Sequence, residues 1–127
     1  MDKQCKNIRL NEDGSITFKT GHKETPKNRV VKLTRTNIYF EVQTCTTTPL
    51  VAKMDVADYF AEAVWAYKQK LDHPYPRGIV ACELPHMHKS LAAKVMNTVH
   101  GKQRVIYKDG DHLNLCRNNL IVVGSAV

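Results

Sequence analysis

Apolar and polar positions along this chain of 127 residues fall into short alternating runs towards both ends, with two helical stripes between them. Residues 7–10 and 15–19 flank Asn11-Glu12-Asp13-Gly14, so a β-hairpin with turn residues at its tip is expected. Residues 22–28 are polar, contain Pro26 and read as a loop. The β-rich runs 30–33 and 38–42 are joined by Thr34-Arg35-Thr36-Asn37, and residues 44–50 offer one further strand. A helical period takes over at Val56, where Val56, Tyr59, Phe60, Ala63, Val64, Tyr67 and Leu71 recur at the spacing of one helix face. Asp55 stands where an N-cap belongs, with Asp58 three residues on as a weaker capping-box acid, and His73-Pro74 ends the stretch. The pattern predicts a helix over about residues 56–71.

A second amphipathic helix is expected over residues 90–97, with Leu91, Val95 and Val99 on one face beside Ala92 and Met96, and with a glycine stop at His100-Gly101. Two apolar runs follow, 104–107 and 120–123, separated by the turn Asp109-Gly110 and a polar loop over 111–118. They read as paired strands, since Gly tolerates positive φ and Asp bonds the backbone two residues on. The expected class is α+β: a small β-sheet with two amphipathic helices and a C-terminal ββ hairpin. Residues 1–76 form a β-rich segment plus helix and residues 77–127 a second segment, together one compact unit.

Length supports one core. No apolar run approaches membrane-spanning length, and the N-terminal residues 1–10 are polar and charged rather than signal-like, so no membrane partner is expected. Cys5, Cys45, Cys82 and Cys116 are widely spaced without a C-x-x-C, as expected of free thiols in a reducing cytoplasm. The net charge of +7 is divided as +4 over residues 1–50, −1 over 51–88 and +4 over 89–127. Basic ends around a near-neutral middle favour a polyanionic partner, nucleic acid being the commonest in the cytosol.

The stretch 105–123, V-I-Y-K-D-G-D-H-L-N-L-C-R-N-N-L-I-V-V, resembles the core of an HNH (ββα-metal) endonuclease. Asp109, Gly110, Leu113, Asn114, Asn119 and Leu120 fall at the spacing of that family, and the helix at 90–97 occupies the place of the family's preceding helix. In active members the first strand ends in an Asp-His or His-His pair that ligates a divalent cation and activates water, and the Asn of the N-L pair braces the loop. Here the pair is replaced by Ile106 and Tyr107. Ile106 has no lone pair for a metal, and a tyrosine with a pKa of about 10 is a poor base near neutrality. The family's closing helix, with its last His or Asn ligand, is also expected to be missing, because the sequence runs only to Val127. The resemblance therefore implies a degenerate HNH core of phage or mobile-element type, with no catalytic residues, metal or other cofactor.

Strands followed by one helix also look similar to the three-strand-plus-helix DNA-binding module of plant ethylene-response factors, which accompanies many phage HNH proteins. That module lays its sheet in the major groove. The matching basic residues are Arg29, Lys32 and Arg35, with Lys27 nearby. Around the ββ element the basic and polar candidates are Lys102, Arg104, Lys108, Asn114 and Arg117. The first expectation is DNA binding without cleavage, gripped chiefly at phosphates from the ββ side. The alternative is an inhibitor or adaptor that binds a host protein; an active nuclease with an altered site is the minority reading. His86, His88 and His100 are a weak zinc set, and His112 a weak relocated base.

Overall fold

Burial with a period of two organises the first half of the chain. The computed structural model describes residues 8–44, 48–72, 78–84, 87–99 and 101–125. The N-terminal hairpin pairs β1 (Ile8–Leu10) with β2 (Ile16–Phe18), and β2 pairs with a short β3 (Lys23–Glu24) inside the segment expected to be loop. Gly14 takes φ +89°, and Asp13 Oδ1 accepts from Ser15 N and Oγ at 2.9 and 2.6 Å, which closes the turn.

The next sheet is antiparallel, in the order β4 (Val30–Leu33), β5 (Asn37–Val42), β6 (Leu50–Asp55). Ile38, Phe40, Val42, Ala52 and Met54 are fully buried on its inner face. The register passes from Val30↔Phe40 to Lys32↔Tyr39, so Val31 is a bulge and is exposed. The strand expected at 44–50 lies instead at Leu50–Asp55; residues 45–47 are outside the described ones. Ala, Lys and Asp are weak strand formers. Full pairing with β5, from Asn37↔Asp55 to Val42↔Leu50, fixes them as a strand.

The helix expected to run to Leu71 is short. α1 spans Val56–Ala61, Ala63 turns left-handed at φ 52°, a 3-10 turn covers Val64–Ala66, and β7 (Lys68–Leu71) pairs with β8 (Val80–Leu84). Val64 and Leu71 are buried as a helix would require, but so is Gln69, in the alternation of a strand. Buried Asn28 decides the outcome. Its Oδ1 accepts from Gln69 N at 2.7 Å, and its Nδ2 donates to Gln69 O at 2.7 Å and Glu41 O at 2.8 Å. Leu71 N also donates to Gln43 O at 2.9 Å. Tertiary hydrogen bonds override local period here. His73-Pro74 lies outside the described residues.

β9 (Met87–Ser90) completes the order β7-β8-β9 and leads into α2 (Leu91–Met96). Ser90 Oγ caps the helix by accepting from Ala93 N at 3.1 Å. The helix stops at Asn97, left-handed at φ 52°, rather than at His100-Gly101, and Val99 is left exposed. Asn tolerates that conformation and ends the helix early. The ββ hairpin is as expected: β10 (Gln103–Tyr107) pairs with β11 (Leu120–Gly124), from Gln103↔Gly124 to Tyr107↔Leu120. Gly124 is required, because a Cβ there would lie 2.3 Å from Lys102 O and its φ is +106°.

One buried cluster runs from Ile16, Phe40, Met54 and Tyr59 to Leu91, Val95, Leu115 and Leu120. The architecture is thus α+β, of small antiparallel sheets with two short helices among the described residues. No helix among those residues is long and apolar enough to cross a membrane.

Candidate nucleic-acid interface

The loop between β10 and β11 is built around one carboxylate and one buried amide. Gly110, at φ +74°, returns its N–H to Tyr107 O at 2.9 Å. Asn119 Oδ1 accepts from Asp109 N at 3.1 Å, and its Nδ2 donates to Asp109 Oδ1 at 2.9 Å and Asn114 O at 3.0 Å. Asp109 also accepts from Asp111 N at 2.8 Å and Asn114 Nδ2 at 3.1 Å. These donors, the Asp111 N–H foremost, hold the Asp109 carboxyl below its ordinary pKa. Asn119 thus ties the start of the loop to its middle.

The braced loop then joins the sheet. Lys53 N donates to Leu113 O and Leu115 N to Lys53 O, both at 2.8 Å, so residues 113–115 run parallel to β6 in a bridge between Lys53 and Asn114. Leu113 and Leu115 are buried and Asn114 between them faces the other way, which is strand alternation. Lys32↔Tyr39, Tyr39↔Lys53 and Lys53↔Asn114 are directly paired, and partners opposite one another share a face. A row Lys32–Tyr39–Lys53–Asn114 therefore crosses the outer side of the sheet, with the core beneath it. Lys32 Nζ lies 5.3 Å from the centroid of the Tyr39 ring. Arg29 stands beside this row, 3.7 Å from Glu41, and Arg35 is exposed in the β4–β5 turn. Lys27, Arg29, Glu41, Gln43 and Lys68 line an adjoining cleft of about 550 Å³. Tyr39 and Lys53 are not among the residues the sequence singles out. The only signal for Lys53 is the alternation Val51, Lys53, Asp55 around buried Ala52 and Met54.

Two of the ββ-side candidates have structural partners. Arg117 Nε donates to both oxygens of Asp58, at 2.9 and 3.0 Å, and Arg117 N donates to Asp55 Oδ2 at 3.0 Å. The two acids expected to cap α1 thus hold the β11 entry instead; Asp55 sits at the N-cap position but makes no side-chain bond to its own helix. Asn114 is fixed at both ends, to Asp109 through Nδ2 and to Cys116 N through Oδ1 at 3.3 Å. Lys102, Arg104 and Lys108 are exposed and form no ion pair with any described residue.

Ile106 and Tyr107 lie on opposite faces of the hairpin. Ile106 is exposed opposite Ile121. Tyr107 packs against the core and stacks on His112, with ring centroids 4.6 Å apart. Burial, with the Asp72 charge adding to it, pushes the Tyr107 phenol up to about 12. His112 Nδ1 is 2.8 Å from Gly78 O. The donor set does not fit the divalent cation of an HNH site: one position is an alkyl group, the next an inward phenol, and the Asp109 carboxylate is already bonded to three donors. No group of three or more His, Cys, Asp or Glu suited to a metal occurs among the described residues. His86, His100 and the side chain of His88 lie outside the described residues. Comparison with family models, curated proteins and solved structures finds no match to this chain.

Proposed function

We propose that this chain is a non-catalytic DNA-binding protein on a degenerate HNH-type scaffold, and that it meets duplex DNA with the outer face of β4–β6. The observation that carries the reading is the row Lys32–Tyr39–Lys53–Asn114, which extends a three-strand sheet by the braced loop and leaves Lys32 exposed and Tyr39, Lys53 and Asn114 half-buried on its outer face. The axes of β4, β5 and β6, at about 4.8 Å spacing, span roughly 10 Å against a major groove about 12 Å wide, and the added strand at 113–115 brings the row to about 14 Å, so its Asn114 end lies over the edge of the groove. Lys27, Arg29, Lys32, Arg35 and Lys53 are placed to meet phosphates, and Tyr39 in their midst offers a hydroxyl and an apolar ring to base edges. Asn114 acts by positioning the added strand. Arg117 belongs to the fold through Asp58 rather than to the contact, and Arg104 and Lys108 flank an isoleucine on another surface. The sheet thus has more support as the grip than the ββ side.

Filter binding of a random duplex over a salt series tests this. Lys32→Ala and Lys53→Ala should each reduce the slope of log K against log salt by about one. Arg104→Ala and Lys108→Ala should leave that slope unchanged. The reverse ranking would move the grip to the hairpin, and wild-type protein without salt-dependent binding would refute the DNA reading.

A further inference from the structure

The β10–β11 hairpin has one face on the core and one that, among the described residues, is largely exposed. Val105, Tyr107 and Leu120 belong to the core side. By alternation, Arg104 and Ile106 stand on the open side opposite Val123 and Ile121. Lys108 continues this side, because its N–H extends the ladder to Asn119 O at 2.8 Å. Ile106 and Ile121 keep 42% and 41% of their surface exposed, directly across from each other. Scattered exposed aliphatics are ordinary, but a cross-strand pair bounded by a cation at each end is a patterned surface. At the Arg104 end, Lys102, Arg104, Val123 and Gly124 line a groove of about 460 Å³. The nearest carboxylate along the chain, Asp109, is held by Asn114, Asn119 and the Asp111 N–H.

We infer that this face docks an acidic polypeptide segment that lays an apolar side chain over Ile106–Ile121 and places carboxylates on Arg104 and Lys108. Charge chooses the occupant. A second copy would bring the same cations of another +7 chain onto these, and like charges set opposite one another disfavour that pairing. A phosphate backbone would find two isoleucines, without a donor, at the centre of its contact. Geometry sets the spacing: Arg104 and Lys108 are four residues apart on one strand face, about 13 Å. An extended segment has the same rise, so the pattern acid–x–apolar–x–acid matches the face residue for residue. This inference is independent of the DNA reading, which rests on the other sheet.

The test is selection of a displayed library of random peptides on the full chain, followed by amide chemical shifts with the recovered peptide in synthetic form. Recovered sequences should be acidic around an aliphatic or aromatic residue, and should shift the amides of residues 104–108 and 121–123. Ile121→Lys and Lys108→Glu, both at exposed positions, should each weaken the peptide about tenfold or more, the range of a central interface residue. Lys32→Ala and Lys53→Ala should leave it unchanged. Selected peptides without acids, shifts at other amides, or wild-type affinity for the two hairpin variants would overturn the inference. So would displacement of the peptide by duplex DNA that shifts these same amides, which would assign the face to nucleic acid. Shifts there with protein concentration alone would assign it to a second copy.

Discussion

Replacing Arg117 by alanine should destabilise the fold and leave DNA affinity untouched, although the sequence marks this residue as a DNA contact. The Asp58 side chain is 9% exposed and accepts two bonds from Arg117 Nε, whose own side chain is 58% exposed. Truncation leaves a buried carboxylate without that partner. A hydrogen bond to a charged group contributes about 1.5–3 kcal/mol, and breaking a fully buried pair costs about 3–5 kcal/mol. Solvent reaches the arginine side of this pair, so the lower range applies, and a loss of about 2 kcal/mol is expected. For a chain of this size that lowers Tm by roughly 6–10 °C. Urea unfolding gives the free energy directly, and a double-mutant cycle with Asp58→Asn isolates the pair, with a coupling of about 1 kcal/mol or more expected. Binding of duplex by the folded variant should keep the wild-type salt slope. A variant within about 0.5 kcal/mol of wild type, the ordinary range for an uninvolved surface residue, whose salt slope had fallen by about one, would refute this assignment and return Arg117 to the DNA contact.

Asn119→Ala removes three hydrogen bonds from a buried amide and should cost about 2–4 kcal/mol; hydrogen exchange should show faster exchange at the Leu115 N–H, which the braced loop holds on β6. Tyr59→Phe should be neutral or stabilising by up to about 1 kcal/mol, because the buried hydroxyl has no hydrogen-bond partner among the described residues; a loss above that size in urea unfolding would mean the hydroxyl is satisfied. The Tyr107 phenol is held up at about 12 in the fold against an ordinary 10, so its contribution to stability is complete below pH 10 and declines as pH rises towards 12; Tyr107→Phe should flatten that part of the stability–pH curve, and an unchanged curve would count against the burial effect. The double change Ile106→Asp, Tyr107→His should not produce plasmid nicking with Mg²⁺ or Mn²⁺, because the Ile106 position faces outward and Tyr107 inward; chelator-sensitive nicking by the purified double variant would refute this.

The fold was legible in the sequence wherever local chemistry decides it. Asp13-Gly14 closes the first hairpin, the stripe Leu91, Ala92 and Val95 makes the second helix, and Asp109-Gly110 with the run 120–123 gives the C-terminal pair. It was not legible where a distant partner decides. Val64 and Leu71 fit a helix period and are buried in either conformation; Asn28, at a sequence distance of 41, fixes Gln69 in a strand. Lys53 falls between the strand expected at 44–50 and the helix expected from 56, and only the pairing of β5 and residues 113–115 on either side of it makes it part of a sheet. Asp55 and Asp58 look like a capping pair, and only the fold brings Arg117 to them across 62 and 59 positions. Candidate basic residues could be chosen by type and neighbourhood, but which of them already had an acidic partner depended on tertiary contacts.

The motif that suggests a nuclease scaffold is explained by the fold before any catalysis is invoked. Asp109 and Gly110 make the turn, Leu113 and Leu120 are buried, Asn114 faces outward between two buried leucines, and Asn119 ties the loop to both ends. Each position of D-G-x-x-L-N-x-x-x-x-N-L therefore has a structural use: together they lay residues 113–115 along β6 as an added strand. A chain with this loop and pairing would carry the motif with or without a metal site, so the motif is accounted for by the loop and does not speak for chemistry. Function has to be argued from side chains that burial and hydrogen bonding leave unexplained. On the outer sheet these are Lys32, Tyr39 and Lys53, a polar row suited to a polyanion. On the hairpin they are Ile106 and Ile121 between Arg104 and Lys108, an apolar centre suited to another polypeptide. The two surfaces differ in chemistry, and single substitutions on each can be assayed without disturbing the other.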